Sequence, residues 1–135
     1  MTPEFLQQLL ARAVVRDFLR FAAVGAVATA AHYAVLIALA EIAGLDPVPA
    51  TVVGFSVGAV VSYTLNRQYT FAVRPAYGRG LAKFLLVVSI GGVLNATIVA
   101  LLTAQGLYYL LAQVIATCLV LIWNFTAARL LVFRA

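Results

Sequence analysis

Four long apolar runs divide the chain, and short polar stretches separate them. The runs cover residues 21–40, 50–71, 84–104 and 110–133. Each run meets the roughly 20 residues that an α-helix needs to cross a hydrocarbon core of about 30 Å. Gly and Pro punctuate the connection at 44–49, and further loops are predicted at 74–80 and 105–109. The pattern therefore predicts an all-α membrane protein with four transmembrane helices.

A different pattern precedes the first run. Thr2 suits a helix N-cap and Pro3 the first helical position. Between residues 5 and 18, apolar side chains recur at helical spacing while Gln, Arg and Asp fill much of the other face. This predicts an amphipathic helix over residues 1–19 that lies in the cytoplasmic interface, followed by a four-helix domain over 20–135. The alternative is that residues 1–19 extend the first span into water.

The basic residues all lie on one side of the membrane that the four predicted spans would cross. All nine Lys and Arg residues precede the first run, lie between the second and third, or close the chain. The connections at 44–49 and 105–109 carry none. The positive-inside rule therefore predicts that both termini and the central loop are cytoplasmic.

The composition argues against a soluble domain and against a nucleic-acid-binding protein. The chain is 65% hydrophobic and 10% charged, whereas a soluble domain is about 25% charged. The net charge of +5 raises nucleic acid as a partner. Because the basic residues flank apolar runs, anionic membrane lipids are the expected partner instead, and nucleic acid is not. The single cysteine, Cys118, lies mid-span and is expected to be a small, packed apolar side chain.

The two halves of the chain repeat. Residues 62–71 end the second span and residues 124–133 end the fourth. In both blocks an aromatic residue precedes an Arg by four positions and a Phe follows it by four, which places all three on one helical face. These triplets are Tyr63, Arg67, Phe71 and Phe125, Arg129, Phe133. A repeat of two spans returns to the same side of the membrane, so the fold is predicted to be two parallel-repeat helical hairpins about an axis along the membrane normal.

The repeat brings four basic residues to the cytoplasmic membrane face. They are Arg20, Arg67, Lys83 and Arg129. Because Arg holds phosphate with a planar, often bidentate fork, this cluster is a candidate phosphate site. Arg67 and Arg129 are favoured, since a Phe on the cytoplasmic side of each places it inside the interface. The alternative is that these side chains only snorkel and set topology.

Polar and small residues inside the spans form a second set of candidates. Asn66 and Asn124 lie near the arginines, where an amide can orient a phosphate or sugar hydroxyl or can bond a neighbouring helix. His32 and Asn95 correspond in the two halves and are predicted to pair across the bundle axis, or to line a sugar pathway.

The remaining features of the sequence are a pair of glycines and the lack of catalytic or metal-binding motifs. Gly54 and Gly58 form a G-x-x-x-G step, which permits close helix contact within the bundle or between subunits. One His, one Cys and four acids are scattered along the sequence, with no P-loop and no nucleophile–base pair. No metal, cofactor, catalytic residue or enzyme activity is therefore expected.

Three motifs together resemble the GtrA-like membrane proteins over about residues 18–133. They are Arg-Phe-Ala-Ala-Val-Gly at 20–25, Ser-Tyr-Thr-Leu-Asn-Arg-Gln-Tyr-Thr-Phe at 62–71, and Trp-Asn-Phe at 123–125 before Arg129 and Phe133. The resemblance implies four spans with cytoplasmic termini. It also implies a part in moving polyprenyl-phosphate-linked sugars across the bacterial inner membrane, beside a membrane glycosyltransferase. The second block departs from the family pattern, because Ala128 stands where Asn often precedes the Arg, so the two halves are expected to contact ligand differently.

Three functions follow as hypotheses. The first is flipping of a polyprenyl-phosphate sugar from the cytoplasmic to the periplasmic leaflet, with a homo-oligomer forming the path because one small bundle encloses little space. The second is a scaffold that recruits the glycosyltransferase without transport. The third is a small multidrug exporter, which needs a membrane-embedded Glu in the first span. It is disfavoured because Glu41 lies at the outer end of that span.

Overall fold

The computed structural model describes residues 1–134, and these residues are helical with no strand. The chain divides into two compact units, Met1–Ala72 and Val73–Ala135. The last residue of the predicted four-helix domain, Ala135, lies outside the described residues. Each unit contains two helices joined by a short turn.

The first unit is built from two long helices that pack on each other. Helix α1 spans Pro3–Ile37 and continues as a π-helical segment, Ala38–Ile42. Helix α2 spans Pro47–Leu65 and continues as a second π-helical segment, Asn66–Thr70, which we call the first π turn. Thr2 is the N-cap of α1, and its hydroxyl accepts from the Phe5 N–H at 3.3 Å, which confirms the predicted helix start.

Helix α1 runs without interruption through the predicted boundary at residues 19–20. The amphipathic segment and the first span are thus one continuous helix. Lys and Arg are good helix formers, and no Gly or Pro intervenes before Gly25, so nothing in the local sequence ends the helix there. The placement of residues 3–19 in the membrane interface stays a prediction.

The second unit repeats this order of elements. Helix α3 spans Tyr77–Ala104, helix α4 spans Tyr109–Ala127, and a π-helical segment over Ala128–Val132, the second π turn, follows α4. Four helices of the described chain are long and apolar enough to cross a membrane: Pro3–Ile42, Pro47–Thr70, Tyr77–Ala104 and Tyr109–Val132. The prediction of a multi-pass, all-α protein with four spans is confirmed. The parallel repeat and the cytoplasmic termini stay predictions.

Two helices begin earlier than the hydropathy pattern indicates. Helix α2 starts at Pro47, where a proline without an N–H suits the first turn. Helix α3 starts at Tyr77, so part of the predicted 74–80 loop is helical, and the Gly80 N–H donates to the Ala76 carbonyl at 2.9 Å. True left-handed backbone occurs at Gly44 (φ 73°) and Gly106 (φ 90°), in the turns that follow α1 and α3.

The core of each unit consists of small and aromatic residues. In the first unit the buried hydrophobic side chains are Phe21, Ala28, Ala50, Ala59, Tyr63 and Phe71; in the second they are Phe84, Val87, Ala112, Ala116, Phe125, Ala127, Ala128, Val132 and Phe133. Small residues let helix backbones approach, which is the main source of helix attraction where lipid is as apolar as leucine. Cys118 was predicted to be packed, but it is exposed. A mid-span apolar side chain can face lipid without cost.

Candidate functional site

The first π turn brings a basic residue of α1 to the end of α2. The Phe71 N–H donates to the Asn66 carbonyl at 3.1 Å and closes the turn. The guanidinium of Arg20 donates through Nη1 to the Tyr69 carbonyl at 3.3 Å. Carbonyls at a helix C-terminus lack intrahelical partners, and a cation there is favoured by the helix dipole. Arg20 is thereby held on the same turn that carries Arg67.

Aromatic packing fixes the position of this turn. Phe71 follows Arg67 by four residues, is 6% exposed and meets Phe21 edge-on, with ring centroids 6.2 Å apart. Such a pair contributes about 0.5–1.5 kcal/mol beyond burial of area. Arg67 itself is half-buried, whereas Arg20 is exposed. Phe71 therefore anchors the turn to α1, next to Arg20.

Asn66 lies inside the first π turn rather than on its surface. Its side chain is 0% exposed. The Thr70 hydroxyl donates to its Oδ1 at 2.7 Å, and its Nδ2 donates to the Ser62 hydroxyl at 3.3 Å. Both ends of the amide are engaged within α2 and the turn that follows. This arrangement favours a structural role for Asn66 over contact with a ligand.

The second π turn has the same local construction with one difference. The Phe133 N–H donates to the Ala128 carbonyl at 2.8 Å, and the Phe133 ring lies 6.5 Å from that of Phe84. Arg129 is half-buried in this turn, and Lys83, next to Phe84, is exposed. Ala128 is 0% exposed and occupies the place that Asn66 has in the first unit. The second turn therefore lacks the amide network of the first.

Asn124 carries a buried acceptor in the second unit. Its Oδ1 is buried and has no hydrogen-bond partner among residues 1–134. It lies against Gly91, where an added Cβ would be 2.5 Å from this oxygen. Beside it, Trp123 donates through Nε1 to the Val87 carbonyl at 3.0 Å. Because a buried unpaired acceptor costs about 1–3 kcal/mol, Asn124 is a better candidate than Asn66 for accepting a hydrogen bond from a ligand hydroxyl.

His32 and Asn95 each have a polar partner on the neighbouring helix of their own unit. His32 Nε2 lies 3.1 Å from the Thr51 hydroxyl. Gln113 donates through Nε2 to Asn95 Oδ1 at 2.9 Å and to the Thr117 hydroxyl at 3.0 Å. Thr51 and Gln113 were not predicted as partners. The repeat could have indicated them, because Thr51 and Gln113 are separated by the same number of residues as Arg67 and Arg129. Pairing of His32 with Asn95 stays a prediction.

The two glycines of the G-x-x-x-G step lie against α1. A Cβ on Gly54 would be 2.7 Å from the His32 carbonyl oxygen, and one on Gly58 would be 2.9 Å from the Ala28 carbonyl oxygen. Both distances are shorter than a real side chain tolerates. These glycines therefore serve the close approach of α1 and α2 within the first unit.

A buried carboxylate on α1 is a further feature that the sequence did not single out. Asp17 is 7% exposed and accepts from Arg16 Nε and Nη2 at 3.2 and 3.1 Å. It lies one turn before Phe21, on the buried face of α1. The sequence pattern had assigned Asp17 to the polar face of the amphipathic segment. Clusters of three or more metal-ligating side chains are absent from residues 1–134.

Four helices that are long and apolar enough to cross a bilayer define a multi-pass membrane protein. Its sequence matches the family described as GtrA/DPMS, transmembrane domain, over residues 20–133. The chain therefore belongs to the GtrA/DPMS transmembrane domain family, as the resemblance indicated. Membership links the protein to the handling of polyprenyl-linked sugars, in a family that is generally non-catalytic. No solved structure matches the chain.

Proposed function

We propose that this protein flips a polyprenyl-phosphate-linked sugar from the cytoplasmic to the periplasmic leaflet of the bacterial inner membrane, for synthesis or modification of cell-surface polysaccharide. The observation that carries the proposal is the contact of Arg20 with the Tyr69 carbonyl, which holds one cation on the turn that bears a second, Arg67. Guanidinium groups bind phosphate oxygens through short, charge-assisted hydrogen bonds. A family that handles polyprenyl-linked sugars supplies the matching ligand.

The basic groups of each unit have complementary roles in this proposal. The exposed residues, Arg20 and Lys83, meet the phosphate first. The half-buried residues, Arg67 and Arg129, hold it as the sugar enters. A charge at the centre of a bilayer costs roughly 2.5–3.5 kcal/mol by insertion scales. Basic residues at the helix ends avoid that cost and still neutralise the phosphate at the membrane surface.

The membrane potential favours outward movement. A singly negative phosphodiester that leaves an inside-negative compartment gains about 2.3 kcal/mol per charge for each 100 mV. The sequence has four acidic residues, and none lies in the middle of a span. Transport therefore requires no coupling ion. Because four helices enclose little space, we propose that a homo-oligomer forms the path.

A scaffold that recruits a membrane glycosyltransferase is the second candidate. The observation that favours it is the long α1, whose first residues include the exposed apolar side chains Phe5, Leu6 and Leu10. An apolar helix face near the membrane surface is a suitable contact for a partner protein. In this reading the protein positions the enzyme that makes the lipid-linked sugar and moves nothing itself.

Flipping of a fluorescent polyprenyl-phosphate sugar in proteoliposomes separates the two candidates. Purified wild type is compared with the double variant Arg67→Ala/Arg129→Ala. Arg79→Ala/Arg134→Ala is the matched control, since it removes the same charge from two exposed positions. We expect flipping by wild type and control, and a loss of at least tenfold in the first double variant.

Other outcomes have defined meanings. Flipping that survives Arg67→Ala/Arg129→Ala would show that these arginines are not the phosphate site. Wild-type protein that is folded and correctly oriented, yet flips no faster than empty liposomes, would refute transport and favour the scaffold. Circular dichroism and labelling of the reconstituted protein establish fold and orientation.

A further inference from the structure

A shallow groove on the first unit joins a basic end to an apolar lining. It is an open depression of about 520 Å³ between α1 and the first π turn. Its lining residues are Arg20, Ala23, Val24, Val27, Gln68 and Tyr69. The polar groups lie together at the level of the π turn. The apolar residues follow Arg20 along α1 at intervals of three, four and seven, which places them on one helical face.

The basic end of the groove is oriented for an anion. Arg20 is exposed, and its guanidinium is held by the Tyr69 carbonyl at 3.3 Å. A guanidinium has five N–H donors, and this contact uses one of them. The carbonyl therefore fixes the direction of the cation and leaves donors for phosphate oxygens.

The apolar part of the groove has the length of the first part of a hydrocarbon chain. Arg20 and Val27 are about 10 Å apart along the helix axis at 1.5 Å per residue. Ala23 and Val27 are exposed, and Val24 is half-buried. These side chains form one apolar face of α1, along which a hydrocarbon chain can lie.

We propose that this groove seats the phosphate and the first part of the isoprenoid chain of a polyprenyl phosphate. The phosphate lies on Arg20 and the chain runs along Ala23, Val24 and Val27. The choice of an isoprenoid rests on the proposed function, and the groove adds the place where the ligand is first held. All the residues that form this place belong to the first unit.

Binding to the full-length protein in nanodiscs of zwitterionic lipid tests the proposal. The probes are a polyprenyl phosphate, the uncharged polyprenol of equal length, and phosphatidylglycerol. Arg20→Gln removes the cation and Val27→Trp fills the groove at a side chain that is 53% exposed. The matched controls are Arg12→Gln, on the same helix outside this groove, and Val93→Trp, at an exposed valine of α3.

The expected pattern distinguishes the two parts of the groove. Arg20→Gln raises the Kd for polyprenyl phosphate at least tenfold, equivalent to about 1.4 kcal/mol, and leaves polyprenol binding unchanged. Val27→Trp weakens both probes by a similar factor. The controls stay within about twofold of wild type, a change well below that tenfold step.

Three results would overturn the proposal. Wild-type affinity in Val27→Trp would show that the groove does not hold the chain. Equal affinity for phosphatidylglycerol and polyprenyl phosphate would make it a general site for anionic lipid. Wild-type affinity in Arg20→Gln would remove the phosphate from Arg20. Flipping assays separate this result from the proposed function: wild-type protein that binds but does not flip refutes transport and leaves the groove intact.

Discussion

Replacement of Gly54 by Ala is expected to destabilise the first unit. An added Cβ would lie 2.7 Å from the backbone carbonyl oxygen of His32 and 2.7 Å from Cδ2 of the His32 ring. The carbonyl belongs to the backbone of α1 and cannot turn aside as a side chain could. The two helices must therefore separate at this point.

Three contributions set the magnitude of the effect. Overpacking of this kind costs about 1–3 kcal/mol. Separation also lengthens the bond between His32 and Thr51, now 3.1 Å, and bonds between membrane helices contribute about 0.6 kcal/mol on average. Alanine regains about 0.5–1 kcal/mol of helix preference over glycine. The net loss in free energy of unfolding is about 1–3 kcal/mol.

Unfolding by SDS in mixed micelles, followed by far-UV circular dichroism, measures this loss. Gly25→Ala is the matched control on α1, because no atom lies within 4 Å of its added Cβ. The control is expected to gain about 0.5–1 kcal/mol from helix preference alone. If Gly54→Ala proves as stable as Gly25→Ala, the close contact between α1 and α2 does not exist, and the reasoning fails.

Two further predictions concern the second unit and the orientation of the chain. Trp123→Phe removes the donor to the Val87 carbonyl at 3.0 Å and is expected to cost about 0.6–1.7 kcal/mol in the same SDS titration; an unchanged midpoint contradicts the bond. In a Cys118→Ala background, a cysteine placed at Gln105 should react with a membrane-impermeant maleimide only from outside, and one at Arg134 only from the cytoplasm. Labelling with the opposite sidedness refutes the predicted topology.

Hydropathy predicted the number of spans because each apolar run has the length that a bilayer demands. It did not predict where the helices end. Arg12, Arg16 and Arg20 precede the first apolar run, yet arginine is a good helix former, so α1 continues through them. Hydropathy marks the boundary of the membrane, whereas capping and glycine mark the boundary of the helix. Pro47 and Tyr77 show the same difference at the starts of α2 and α3.

The candidate site was less predictable, because its contacts depend on packing. The repeat indicated a cluster of four basic residues in which Arg67 and Arg129 correspond, but nothing in the pattern marks a π turn. That turn decides which carbonyl meets Arg20. The repeat spacing relates Thr51 to Gln113, but the residue that each of them bonds on the neighbouring helix depends on how the two helices pack.

The length of α1 has a consequence for bilayers of different thickness. With its π-helical end it covers 40 residues, about 60 Å at 1.5 Å per residue, whereas a bilayer with its headgroups is about 40–45 Å thick. Arg12, Arg16 and Arg20 follow one another at about 6 Å along the axis. With the predicted cytoplasmic N-terminus, Arg16 would take the headgroup level in a thicker membrane and Arg20 in a thinner one. The helix can thus shift by a full turn and keep an arginine at the headgroups, where a helix with one arginine would have to tilt.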